Sequence, residues 1–92
     1  MAKDSVEIIR TILLRRTVAG NIKALRKKHN MTQKELAALS GIKRETIAKY
    51  ESFKSFPPLE NLLLISQALE ESPLALVEGW ENIFKSTNNQ SS

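Results

Sequence analysis

The sequence predicts an all-α fold, and three observations carry that prediction. No run alternates apolar and polar residues as a half-buried strand requires. Helix-start signals recur along the chain: Thr32 with Glu35 three residues on, Pro58, and Ser72 before Pro73. The stretch from Thr32 to Glu51, TQKELAALSGIKRETIAKYE, sets apolar residues at helical spacing on either side of one glycine. Its 92 residues suit a single domain with a small core, and no cysteine is present to staple it or hold a metal.

From Ser5 to Arg16, SVEIIRTILLRR gathers Val6, Ile8, Ile9, Ile12 and Leu13 toward one side. Residues 1–16 are expected to form an N-terminal helical extension that either covers its own domain or swaps onto a partner. A domain over 17–84 follows. Thr17–His29 reads as a helix with Val18, Ile22 and Leu25 inward, and it is either continuous with the first segment or broken from it near Thr17. Asn30 suits a left-handed cap. His29, the sole histidine, reads as a surface or capping residue, because no Cys, Asp or second His stands near it at ligand spacing. No metal and no cofactor is predicted.

Thr32 and Glu35 form a capping box for a helix that turns Leu36 and Leu39 to one face. Gly41 supplies the left-handed backbone of a turn. In the helix predicted over 43–52, Ile42, Ile47 and Tyr50 make an apolar edge, opposite Lys43, Arg44, Glu45, Ala48 and Lys49. Two helices joined by a short glycine turn, the second with a basic and polar outer side, have the helix-turn-helix layout. After a loop through Pro57, Leu59, Leu62, Ile65, Ala68 and Leu69 form the next apolar face, which Leu63 and Leu64 widen. Ser72-Pro73 starts a last helix reaching about Val77, or running on through Trp80 to Phe84. The polar tail KSTNNQSS, residues 85–92, is predicted to be disordered.

Charge divides the chain. Residues 1–54 hold 13 Lys/Arg against 5 Asp/Glu, net +8, and residues 55–92 hold 1 against 5, net −4. A basic part carrying the helix pair points to a polyanion met by one surface. No apolar run approaches the ~20 residues of a membrane span, and Asp4, Glu7 and Arg10 interrupt the N-terminal apolar stretch, so neither a membrane nor a signal peptide is expected. The expected location is the cytoplasm, at the nucleoid. Paired carboxylates, a Ser/His/Asp set and a phosphate-binding glycine loop are all lacking, which argues against an enzyme.

From about Val18 to Val77 the chain resembles the lambda-repressor-like, or Cro-type, helix-turn-helix family. The resemblance rests on Ile22-x-x-Leu25-Arg26, Met31-Thr32-Gln33-x-Glu35-Leu36-Ala37, Gly41-Ile42, Ile47-x-x-Tyr50-Glu51, Pro57-x-Leu59 and Ala68-Leu69. It implies a compact five-helix domain that binds double-stranded DNA, usually as a homodimer on a pseudo-palindromic operator. Such proteins are repressor-type transcriptional regulators of phages or bacteria. It also implies that Arg26 and Glu51 form a structural ion pair. Two departures stand out: Lys43 replaces a small polar cap, and Phe53 replaces a glycine.

On that reading the helix over 43–52 enters the major groove, where base edges carry a distinguishable code. Arg44 is the expected base reader, with Glu45, Lys49 and Ala48 beside it; Glu45 and Lys49 are also spaced to pair with each other along the helix. Thr32, Gln33, Lys43, Ser52 and Lys54 are the expected phosphate contacts. The apolar surplus for a dimer seam lies in Leu64, Leu74, Trp80, Ile83 and Phe84, although Trp80 could instead fold onto its own core. The alternatives within this class are an antitoxin-like interaction module with a toxin partner, and a restriction–modification controller.

Overall fold

The computed structural model describes residues 3–83. Five helices follow one another: α1 (Lys3–Lys28), α2 (Gln33–Ser40), α3 (Arg44–Glu51), α4 (Leu59–Leu69) and α5 (Pro73–Leu76). A further helical stretch opens at Trp80 and continues to residue 83. Phe84 and the tail 85–92 lie outside the described residues. Among those described, no helix is long and apolar enough to cross a membrane.

The segments on either side of Thr17 are one helix. α1 runs 26 residues without a break, about 39 Å at 1.5 Å per residue. It therefore sets the long dimension of a molecule measuring 45 × 24 × 19 Å. Its C-terminal half buries Val18, Ala19 and Ile22, whereas Val6, Ile8, Ile9, Ile12 and Leu13 in the N-terminal half are exposed. Helix phase is the reason. Nine residues make two and a half turns, so Ile9 lies opposite Val18 and Leu13 opposite Ile22. The apolar stripe of the extension is turned away from the core that the same helix feeds, and it meets its own domain where Ile12 lines a cleft with Phe53 and Phe56.

The core comprises Val18, Ile22, Leu36, Ile42, Ile47, Tyr50, Ile65, Leu69 and Leu76, drawn from all five helices and the α2–α3 turn. Two leucines read as inward are not. Leu39 is 62% exposed and Leu59 is 71% exposed. α2 buries Leu36 and Ser40, four residues apart, which moves Leu39 to the rim. Leu59 precedes Ile65 by six residues, about a third of a turn off the buried line of α4.

The ends of the helices follow local chemistry. Thr32 Oγ1 accepts from the Glu35 N–H at 3.0 Å, and Glu35 Oε1 accepts from the Thr32 N–H at 2.8 Å, closing the capping box. Gly41 takes φ +76° and donates its N–H to the Ala37 carbonyl at 2.9 Å. Asn30 takes φ +57° after α1. Ser72 Oγ accepts from the Leu74 N–H at 3.2 Å, one residue past Pro73. The last helix is not continuous to residue 84. α5 ends at Leu76, and Gly79 at φ +100° turns the chain before the stretch from Trp80. Asn21 Nδ2 holds that turn to α1 by donating to the Leu76 and Glu78 carbonyls at 2.9 and 3.0 Å.

Phe53 adopts φ +66° in the loop after α3, the backbone region that favours glycine. The basic residues at the inner end of the α1 extension reach this loop. The Arg16 guanidinium lies 5.8 Å from the Phe53 ring centroid and that of Arg15 lies 5.5 Å from Phe56, within cation–π range. Far from there, His29 Nε2 sits 2.7 Å from Glu71 Oε2, and Lys28 Nζ sits 3.4 Å from the same oxygen. The sole histidine thus joins the end of α1 to the segment between α4 and α5.

Two outcomes follow from these contacts. Hydrogen bonds from His29 and then Lys28 hold the Glu71 carboxyl below its ordinary range. The stability this contributes is complete above the unfolded value of ~4.3 and is lost as pH falls through the lower folded value. Glu71→Gln is expected to flatten the acid side of the stability curve, read by urea denaturation at stepped pH; superimposable acid limbs would deny the contact any part in stability. At Phe53 a β-branched residue is strained, so Phe53→Val should cost ~2 kcal/mol. Phe53→Gly, which exchanges strain relief for a lost ring contact and added chain entropy, should stay within ~1 kcal/mol of the parent.

Candidate nucleic-acid interface

α2, the Gly41–Lys43 turn and α3 form one unit because both helices bury residues in the same core. Leu36, Ile42 and Ile47 interlock there, and Ser40 Oγ accepts from the Ile42 N–H at 3.2 Å inside the turn. Tyr50 is buried with its hydroxyl accepting from Asn61 Nδ2 at 2.8 Å, which fixes α3 against α4. With Ile47 and Tyr50 inward, the opposite side of α3 is set. Arg44, Glu45 and Lys49 are exposed on it, and Ala48 is half-buried between them and the core. Glu45 and Lys49 do not form an ion pair with each other.

Lys43 occupies the N-cap of α3 without a side-chain cap bond, and its carbonyl accepts from the N–H groups of Thr46 and Ile47, both at 3.0 Å. The Lys43 side chain is therefore exposed beside the positive end of the helix. Lys54 is exposed beyond the other end of α3, with its N–H donating to the Lys49 carbonyl at 2.9 Å. Thr32 is exposed, and its hydroxyl oxygen is engaged in the capping box. Ser52 is exposed and its Oγ donates to the Lys49 carbonyl at 3.4 Å. Gln33 turns inward: its Nε2 donates to Glu51 Oε1 at 3.1 Å.

That contact belongs to a network centred on Arg26. Arg26 Nε donates to Glu51 Oε2 at 2.7 Å and Nη2 donates to Oε1 at 2.9 Å, a two-pronged pair. Arg26 Nη1 donates to the Met31 carbonyl at 2.7 Å, and the Met31 N–H donates back to the Arg26 carbonyl at 3.0 Å. The two side chains are only 9% and 3% exposed. The Glu51 hydrogen bond raises the Arg26 pKa further and outweighs the opposing effect of burial. Arg26 and Gln33 thus hold Glu51, the last residue of α3, from two sides, and the Met31 carbonyl steadies the guanidinium.

The seam residues divide. Leu64, Leu74 and Trp80 are 37, 75 and 43% exposed, whereas Ile83 is 8% exposed. Ile83 is buried in its own protomer and has little surface to offer a second one. Phe84 lies outside the described residues. Leu64 also lines a shallow groove with Met31, Leu39, Gln67 and Ala68, between the end of α2 and α4.

Several positioning contacts carried no local signal in the sequence. The Gln33–Glu51, Asn21–Leu76 and His29–Glu71 partners stand 18, 55 and 42 residues apart. Only the folded chain brings them together.

Comparisons with known proteins agree with this geometry. A model of the helix-turn-helix family matches residues 22–76. The antitoxin PezA of Streptococcus pneumoniae is 37% identical over 60 residues, covering 65% of this chain and 38% of that protein. The chain thus spans well under half the length of that relative. Among solved structures, the restriction–modification controller protein C.AhdI from Aeromonas hydrophila superposes with a TM-score of 0.66 at 27% identity, covering 67% of this chain and 94% of its own. The controller protein C.Esp1396I gives 0.68 at 30% identity, covering 77% and 93%.

The buried pair generates a stability prediction. Arg26→Ala or Glu51→Ala alone should cost ~3–5 kcal/mol, because each leaves the other charge buried without its partner. The double variant should cost much less than the sum. A double-mutant cycle by chemical denaturation reads the coupling, and a coupling near zero would remove the pair from the account of stability.

Proposed function

The chain belongs to the lambda-repressor-like helix-turn-helix family, and from that premise we propose how this DNA-binding transcriptional regulator meets its site. α3 lies in the major groove of duplex DNA with its N-terminal end leading. The observation that carries this reading is the outer side of α3, where Arg44, Glu45 and Lys49 are exposed together while Ile47 and Tyr50 anchor the helix from behind. A guanidinium can bond guanine O6 and N7 at once, so Arg44 reads a base. Glu45 is free to accept from a cytosine amino group, and Lys49 reaches the groove one turn later. Half-buried Ala48 offers a methyl-sized contact.

Lys43 and Lys54 bracket α3 and bind phosphates at its two ends. A phosphate at the N-terminus of α3 also meets main-chain N–H groups, and it reverses the unfavourable placing of Lys43 beside the helix dipole. Thr32, whose hydroxyl oxygen only accepts in the capping box, adds a hydroxyl donor, and Ser52 adds one when its hydroxyl leaves the Lys49 carbonyl. Gln33, committed to Glu51, contributes mainly by fixing the α2–α3 angle. Two copies, joined through the exposed Leu64, Leu74 and Trp80 surface, present paired α3 helices to half-sites about one helical turn apart.

The likeness to PezA favours one further reading, an antitoxin-like regulator that also takes a toxin as partner. The likeness to C.AhdI and C.Esp1396I favours a restriction–modification controller. Both keep the same DNA-binding unit, and co-purification of a partner protein with the chain would separate them. Neither calls for a catalytic role.

Binding fragments selected from random DNA supply the test. Arg44→Ala is expected to cost ~1–3 kcal/mol and to relax the preference at one base step, whereas Lys54→Ala should weaken all sequences alike and reduce the salt slope by ~1. A uniform loss across all fragments for Arg44→Ala would overturn its assignment as a base reader.

A further inference from the structure

Arg15 and Arg16 stand midway along α1, against the loop that follows α3. The Arg16 guanidinium lies over the Phe53 ring and that of Arg15 over the Phe56 ring, at 5.8 and 5.5 Å. Lys54 falls between the two phenylalanines in sequence, and it lines one cleft with Ile12, Arg15 and both rings. Both arginines and Lys54 are exposed. Among the described residues, no carboxylate lines that cleft, and neither guanidinium donates to a protein acceptor or pairs with an acid. Glu7, the nearest acid on this half of α1, is eight residues from Arg15, ~12 Å along the helix. Two phenylalanines thus hold two arginines whose hydrogen-bond donors are unspent.

We propose that Arg15 and Arg16 bind the DNA backbone beside the phosphate that Lys54 takes, so that α1 extends the binding surface beyond the helix-turn-helix unit. This rests on the reading of α3 as the helix in the major groove. On that reading Lys54 meets a phosphate at the trailing end of α3, where its N–H is fixed to the Lys49 carbonyl at 2.9 Å. The arginines continue that line of cations onto α1. Charge of one sign gathered round a cleft focuses the field there and draws in an anion. A guanidinium can then meet phosphate through two N–H groups at once. The rings do the positioning. A free arginine loses rotamer freedom when it binds, whereas one already held over an aromatic ring has less to lose. Phe53 keeps φ +66°, a backbone state costly for a bulky residue, and its ring is the one that Arg16 meets. The mount is rigid as well. α1 is continuous, and Val18, within one turn of both arginines, anchors it in the core.

The probe is a duplex fragment that the full chain selects from random DNA. With Arg15→Gln and Arg16→Gln together, the plot of log affinity against log salt should flatten by ~2 for each chain bound, and each single variant should flatten it by ~1, because every lost phosphate contact removes ~0.9. Base preference should stay that of the parent. Arg15→Lys with Arg16→Lys should restore the slope, since lysine keeps the charge. Neutral methylphosphonates, placed at one phosphate at a time, then locate the contacts. The parent should be weakened at positions adjoining the one to which Lys54→Ala is indifferent, and the double glutamine chain should be indifferent at those positions. Circular dichroism checks that the variants keep their helices. A parental slope in the folded glutamine chain, a slope that lysine does not restore, or a shifted base preference would overturn the proposal. So would the lack of any phosphate to which the glutamine chain alone is indifferent. The Arg44→Ala comparison separates the two readings. If it relaxes one base step while the glutamine chain binds like the parent, α3 keeps its place in the groove and only this proposal falls. A parent that selects no fragment would remove both.

Discussion

The two-pronged contact between Arg26 and Glu51 is the constraint on which the geometry of the helix-turn-helix unit depends. One guanidinium ties α1 to the last residue of α3 and, through the Met31 carbonyl, to the turn that leads into α2. Gln33 brings the first residue of α2 to the same carboxylate. Three helices are thereby held at one buried point, where the low-dielectric surroundings make any unmatched charge expensive. The apolar core supplies most of the burial, but a core of interchangeable aliphatic side chains tolerates small rotations. A buried pair with fixed donor and acceptor directions does not, and the angle of α3 is what sets the reach of Arg44, Glu45 and Lys49.

α1 serves two surfaces at once. Its inner half belongs to the core and its outer half shows apolar residues on the opposite side, half a turn away. Averaged along its length the helix looks weakly amphipathic, because the two faces cancel. The loop after α3 links this helix to the helix-turn-helix unit through Arg15 on Phe56 and Arg16 on Phe53. A bulky residue in a left-handed backbone position is kept there by a contact that glycine could not make.

The sequence and the structure part company where a residue's neighbours lie far along the chain. The exposure of Leu39 and Leu59 shows that helical spacing finds an apolar face but not its width. Ile83 reads as surplus apolar surface until the turn at Gly79 is seen to fold it inward. The histidine's contact with Glu71 has no signature within several residues of either partner.

Several things were determined by the sequence alone: the helical class, the capping box at Thr32 and Glu35, the left-handed turns at Asn30 and Gly41, the start at Ser72-Pro73, and the basic outer side of α3. All of these rest on interactions within about four residues, which the order of amino acids specifies directly. Tertiary structure alone decided that α1 is continuous, that its outer stripe faces away from the core, that Gln33 turns to Glu51, and that α5 stops at Leu76. Each of these depends on the direction in which a distant segment approaches. That direction is a compromise among many weak contacts, and no short stretch of residues encodes it.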